Sequence, residues 1–250
     1  MDLDPTLRLS SRVDAYSRYR PSYPPEVAAS LARDCGLTAD SRIADIGSGT
    51  GLLAELFLRR GCQVYGVEPN AEMRHAAERI LAGEARFRSV DGRAEATGLA
   101  GSSVDFVTAG QAFHWFHPAG ARTEFRRILV PGGWLVLVWN ERVPAAGGFQ
   151  ADYDAIVRRY APEVRRIQED AIDAVFGGRT WRLERFPNRQ QLDCEGLEGR
   201  LSSSSYAPLA GTPEHAVMQD ALRRLFEEYR SDGAVTILYE TSVYAGRIGA

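Results

Sequence analysis

The sequence predicts an α/β fold of alternating strands and helices, and three features of its 250 residues carry that prediction. Arg42–Ile46 is an apolar run of strand length that ends in three glycines at alternate positions, Gly47, Gly49 and Gly51. Leu52, Leu53, Leu56 and Phe57 then recur at helical spacing. A second buried run, 62–67, follows one helix later and ends in the acid Glu68. With 44% hydrophobic residues, the chain can bury a full core as one domain with some decoration.

Asp45, Gly47, Ser48, Gly49 and Gly51 form a turn between a strand and a helix. Glycine adopts backbone angles that a side chain forbids and lets a ligand approach the main chain. The first turn of the helix adds unpaired N–H groups. A dinucleotide fold opens the same way. Its fingerprint, however, needs a third glycine three positions after the second, where this chain has Leu52. Asp45, two positions before the first glycine, suits a cationic ligand tail better than a pyrophosphate. Two parallel strands joined by a helix lie side by side, so Glu68 faces the glycine turn, where its carboxylate can accept both hydroxyls of a ribose.

Asn70 begins the next helix, with Met73, Ala76, Ala77, Ile80 and Leu81 on one side. A third strand, 85–90, leads into Arg93, Ala94 and Glu95, and a fourth, 103–110, passes into Gln111, His114 and Trp115. Open α/β sheets gather ligands at these carboxyl ends. His114 is a candidate general base for an acceptor that must lose a proton. The reading preferred over this is a hydrogen-bonded histidine that shapes a pocket and moves no proton. The segment 125–140 announces a fifth strand after a Pro-Gly-Gly turn and ends in Trp139 and Asn140.

These motifs resemble the class I S-adenosylmethionine-dependent methyltransferases, and the segments 110–116 and 16–24 resemble their type 11 small-molecule branch, which includes enzymes similar to trans-aconitate methyltransferase. The resemblance implies a Rossmann-like, seven-stranded, mostly parallel sheet with helices on both faces, the seventh strand antiparallel beside the fifth, and a helical cap inserted after strand five. It implies S-adenosyl-L-methionine as cofactor, with Pro69 and Met73 packed on its adenosine and Ala94 at the adenine. Arg93 stands where the family has an acid: it either stacks on the ring or points to solvent, and Glu95 is the candidate substitute. Gln111 is assigned to the cofactor site and Trp115 and Trp139 to the acceptor.

Tyr16, Tyr19, Arg20 and Tyr23 occupy a loop ahead of a helix opened by Pro24 and Pro25. They read as a lid in which Arg20 forks to the methionyl carboxylate, or as an arm packed on the sheet edge. The expected organisation is a single domain, 1–250. Its parts are the lid and helix (1–38), the cofactor core (39–140), a cap of two amphipathic helices (141–178), and sheet completion with acceptor elements (179–250). Tyr153, Ile156, Val157 and Tyr160 line the first cap helix, and Val164, Ile167, Ala171, Ile172 and Val175 the second. A long helix later turns Val217, Leu222, Leu225, Phe226 and Tyr229 inward. The serine run before Tyr206 reads as a helix end bordering the acceptor cavity, and Arg158, Arg159, Arg165 and Arg166 as a basic cluster near the cap.

Composition narrows the chemistry. A net charge of −3 gives no basic footprint for nucleic acid. Without a basic-then-apolar N-terminus or a long apolar run, the chain reads as cytoplasmic, with no membrane partner. Cys35, Cys62 and Cys194 are too scattered for a disulfide framework or a zinc site, and His114 and His117 lack a third ligand, so no metal is expected. All thirty basic residues are arginine, which removes Schiff-base and Walker-type chemistry. The function expected is methyl transfer to an oxygen or nitrogen of a small organic molecule. The alternatives are an inactive cofactor-binding or regulatory protein on the same fold and a nicotinamide-dependent oxidoreductase. Acceptor and oligomeric state are not fixed by the sequence.

Overall fold

The computed structural model describes residues 13–161, 169–178 and 180–249, and Val164, Ile167, Arg165 and Arg166 lie outside them. Seven strands form one sheet: β1 (Arg42–Ile46), β2 (Gln63–Val67), β3 (Phe87–Val90), β4 (Val104–Gly110), β5 (Leu129–Arg142), β6 (Trp181–Leu192) and β7 (Val235–Gly246). Their spatial order is β3-β2-β1-β4-β5-β7-β6. The neighbours β1–β2, β2–β3, β1–β4 and β4–β5 run parallel. The order reverses at β1, so the crevice outside the carboxyl ends of β1 and β4 is the place where such sheets take ligands.

The chain separates into two compact units, each assembled from discontinuous segments. The larger comprises 22–140, 166–186 and 241–250. Here alternate strand residues point to opposite faces. Ile43, Phe106, Val136 and Val138 pack with helices α2 (Glu26–Cys35), α3 (Leu52–Leu58) and α4 (Ala71–Ile80). Ala44, Val107, Leu135 and Leu137 pack on the other side with α5 (Pro118–Ile128) and α7 (Glu169–Phe176). Both faces are covered, which is why these strands read as nearly continuous apolar runs.

The smaller unit comprises 1–21, 141–165 and 187–240. Its described helices are α1 (Val13–Tyr19), α6 (Gly148–Tyr160), α8 (Cys194–Ser202) and α9 (Pro213–Tyr229). Tyr153 and Val157 of α6, Leu197 and Leu201 of α8, and Met218, Leu222 and Phe226 of α9 share one core with Val235, Ile237 and Tyr239. Among the described residues, no helix is long and apolar enough to cross a membrane.

Three local expectations change, and the sixth strand proves long. Tyr16 and Tyr19 sit on a helix, not in a loop. The expected cap pair is divided, since α6 belongs to the smaller unit while Ile172, Val175 and Phe176 of α7 fill the larger unit's core. β6 runs five residues past Pro187, with the alternating half-burial of a sheet edge. On α9, Leu222, Leu225 and Phe226 face inward as expected, but Val217 is 55% exposed and Met218 is fully buried in its place, because Met218 lies four residues before Leu222 on the same face. Met218→Ala should therefore lower stability by about 2–4 kcal/mol through the cavity it leaves, whereas Val217→Ala should stay within about 0.5 kcal/mol. Urea unfolding midpoints at equal m-value read the difference.

Candidate functional site

The glycine turn leaves β1 with Gly47, Gly49 and Gly51 all at positive φ (66°, 56° and 89°). Two of them have a steric reason as well. A Cβ on Gly47 would lie 2.6 Å from the Cβ of Ala112, and one on Gly51 2.7 Å from Cδ1 of Leu81. The Gly47 N–H donates to the Val67 carbonyl at 2.8 Å, which fixes the turn to the end of β2.

Glu68, buried beside this turn, joins the two strand ends. One carboxylate oxygen accepts the Gly49 N–H and the other the Asn70 N–H, each at 3.0 Å. Asn70 in turn caps α4, its side chain accepting from Glu72 and Met73 N–H. Burial raises the Glu68 pKa, opposed by those backbone N–H groups and by Arg74. Each carboxylate oxygen keeps a lone pair, so the geometry leaves room for two hydroxyl donors.

Asp45 is buried (1% exposed), with Oδ1 accepting the Thr108 hydroxyl at 3.0 Å. Its Oδ2 is buried with no hydrogen-bond partner. Burial raises its pKa to about 7, with Glu68 adding to the rise and Thr108 and the Ala54 N–H opposing it. An orphaned carboxylate oxygen at a ligand crevice is an acceptor in want of a donor. Together with the open glycine turn and the Glu68 carboxylate, it fits a ligand that carries an ammonium and a ribose.

The segment after β4 closes over Gly47, since Ala112 and Phe116 are the atoms a Cβ there would meet. Gln111 adopts φ 56°, strained for a residue with a side chain. It is held by its N–H to the Val138 carbonyl and its amide to the Asn140 carbonyl. His114 lies on the short turn Phe113–Trp115, half-buried, with its ring 5.3 Å from Trp139 and 4.5 Å from the exposed Trp115. Trp139 is a core residue. Met73 is buried, Pro69 half-buried and Ser48 against Gly66. Ala94 is buried inside a bridge between Arg93 and Ala96, and the Arg93 side chain is exposed. The Glu95 carboxylate accepts the His117 N–H at 2.8 Å, at the start of α5.

Arg20, Tyr16, Tyr19 and Tyr206 belong to the smaller unit. Arg20 donates to the Ser203 carbonyl at 3.0 Å and lies over the Tyr16 ring. The Tyr19 hydroxyl bonds Glu195, and its ring packs where a side chain on Gly199 would stand. Sequence reasoning passed over Thr108, which orients Asp45, and Asn140, whose side chain accepts from Thr241 and donates to the Ser22 carbonyl. A polar residue ending an apolar strand was the available signal for Asn140. Cys35 and Cys62 are buried free thiols, and Cys194 is a half-buried one.

Comparison with known proteins follows the same line. Residues 44–137 match the type 11 family model of a methyltransferase domain. An uncharacterized methyltransferase of Mycobacterium tuberculosis is 42% identical over 139 residues, 56% of this chain and 54% of that one, so the chain spans about half the length of that relative. An uncharacterized methyltransferase-like protein of Schizosaccharomyces pombe is 32% identical over 241 residues, covering 92% of this chain and 91% of its own. Among solved structures, a proposed type II methyltransferase from Anaeromyxobacter dehalogenans superposes with a TM-score of 0.64 at 22% identity, over 92% of this chain and 98% of that one.

Asp45→Asn tests the electrostatics of the site. Because the folded carboxyl titrates near 7 rather than 3.8, folding favours its protonated form, and the wild type loses stability as pH rises from about 4 to about 7. At about 1.4 kcal/mol for each tenfold change in proton affinity, the neutral variant should gain on the order of 4 kcal/mol over that window. Thermal unfolding of ligand-free protein should therefore show matching Tm values near pH 4 and a variant several degrees more stable at pH 8. A gap independent of pH would contradict the assignment.

Proposed function

The chain belongs to the class I S-adenosylmethionine-dependent methyltransferases, and on that premise we propose that it transfers a methyl group to an oxygen or nitrogen of a small organic molecule in the cytoplasm. One observation carries the cofactor assignment: the buried Asp45 with its unpartnered oxygen, next to the glycine turn that Glu68 ties to β2. When bound, S-adenosylmethionine supplies a methyl group already activated on a sulfonium. The chain's own residues then have to bind, orient and keep water out.

In this reading, Asp45 accepts a hydrogen bond from the methionyl ammonium and Glu68 accepts the ribose hydroxyls. Gly47, Ser48, Gly49 and Gly51 let the ligand lie against the main chain. Met73 and Pro69 border the adenosine. With Arg93 exposed and Glu95 engaged at His117, the adenine is left to the Ala94 backbone. The strained Gln111 and its bond to the Asn140 carbonyl hold the segment that carries His114. His114 is well situated to orient the acceptor between Trp115 and Trp139, and it takes a proton only if the acceptor hydroxyl or ammonium has one to lose.

Calorimetric titration with S-adenosylhomocysteine tests the assignment. Wild type should bind in the micromolar range. Glu68→Ala should lose at least tenfold, since a charge-assisted bond of this kind is worth about 1.5–3 kcal/mol. Undiminished binding in that variant would refute the ribose role.

The same titration carries a proton signature. Asp45, titrating near 7, is about half protonated at pH 7, and a neighbouring ammonium stabilises its carboxylate. Binding should therefore release about half a proton per site, read from the enthalpy difference between two buffers. Asp45→Asn should abolish the release.

A further inference from the structure

We infer that the smaller unit holds a preformed site for an oxyanion, built by the buried Arg200 and the half-buried Arg20 with Tyr16, Tyr206 and Tyr239 around them. The ligand class is a small organic acid bearing a carboxylate or a phosphate. This goes beyond the methyl-transfer reading and is tested separately from it.

Arg200 is 5% exposed, its Nε donating to the Tyr239 hydroxyl at 3.1 Å and its Nη1 reaching Oγ of Ser204 at 3.4 Å. Arg20 donates through Nη2 to the Ser203 carbonyl at 3.0 Å, and its ring partner is Tyr16 at 4.7 Å. Two guanidiniums thus converge on adjacent, fully buried serines at the end of α8. Neither has a carboxylate partner among the described residues, whereas Arg142, at the end of β5, pairs with Asp154 of α6. The Nε of Arg20 is buried with no hydrogen-bond partner at all. Burial, followed by the like charge of Arg200, pushes the Arg20 guanidinium below its ordinary value.

Two like charges taken out of water with no acid between them are unfavourable. An arginine fork with a free N–H is also the geometry that receives a carboxylate or phosphate. Burial would raise the Tyr206 phenol pKa, but Arg200, a hydrogen bond with Ser204, Arg142 and Arg20 together outweigh it and lower the value. Tyr206 is nevertheless 38% exposed, so its ring marks an approach from solvent to the arginines.

The test is thermal shift and calorimetry on the full chain with benzoate, phenyl phosphate and neutral benzamide, each with and without saturating S-adenosylhomocysteine. Benzoate or phenyl phosphate should raise Tm in a saturable way, benzamide should not, and the shift should persist with S-adenosylhomocysteine bound. Arg200→Gln should weaken the anion at least tenfold, Arg200→Lys less, while Arg59→Gln on an exposed helix pair should leave it unchanged. The comparison of benzoate with benzamide needs no variant and stands even if Arg200→Gln fails to fold. Equal shifts from benzamide, or an anion effect that survives both Arg20→Gln and Arg200→Gln, would overturn the site. Mutual exclusion of benzoate and S-adenosylhomocysteine would assign the arginines to the methionyl carboxylate and overturn a separate anion site. Normal S-adenosylhomocysteine binding with no anion effect would sink this inference alone and leave the methyltransferase reading intact.

Discussion

The carboxylate of Glu68 is the constraint on which the cofactor side of the molecule depends. It accepts one N–H from the glycine turn after β1 and another from Asn70, the residue that caps the helix after β2. Two strand–turn–helix connections that are independent in sequence are thereby locked to each other at the carboxyl edge of the sheet. The Gly47 bond to the Val67 carbonyl repeats the link through the main chain. A rigid turn matters because a ligand held mainly by backbone groups gains affinity only if those groups are already in place.

Around that clamp the structure departs from local preference in ways that a stable core would not need. Gln111 sits at positive φ, and Asp45 keeps an oxygen buried and unbonded. Either would be destabilising in isolation. Both lie in the larger unit at the ends of β4 and β1, where the strand order reverses. The pattern matches a site that is completed by its ligand: the cost borne by the free protein is the measure of what the ligand supplies.

Much of this was legible in the chain because the signals are local. Asp45, Gly47, Gly49 and Gly51 are contiguous, and Glu68 ends the next apolar run, so the register of two parallel strands brings them together. What escaped was set by tertiary packing. Val217 and Met218 are both apolar, and only the neighbours of α9 decide which faces inward. The tyrosines of α1 read as loop residues ahead of the helix opened by Pro24 and Pro25, yet they lie on a short helix that docks on α8 through Tyr19. Glu95 read as an adenine ligand from its position beside Ala94, but its carboxylate meets His117, in a segment that the motif does not include. Arg20 bonds a carbonyl 183 residues away at Ser203, and Arg200 a hydroxyl 39 residues away at Tyr239, distances at which no local pattern announces a partner.

The complete use of arginine in place of lysine acquires a physical meaning once burial is known. A lysine moved out of water readily loses its proton, because its charge is compact and strongly hydrated. A guanidinium stays charged and spreads that charge over a plane of five donors. Arg200, with its donors distributed between Tyr239 and Ser204, and Arg20, bonded to Ser203 and stacked on Tyr16, are cations that remain cations where they are. The larger unit makes the opposite choice, burying the acids Asp45 and Glu68 with no arginine bonded to either carboxylate oxygen among the described residues. Buried acid in one unit and buried base in the other, each left without a full counter-charge, is the distribution expected of a protein that selects a cationic group with the first and an anionic one with the second.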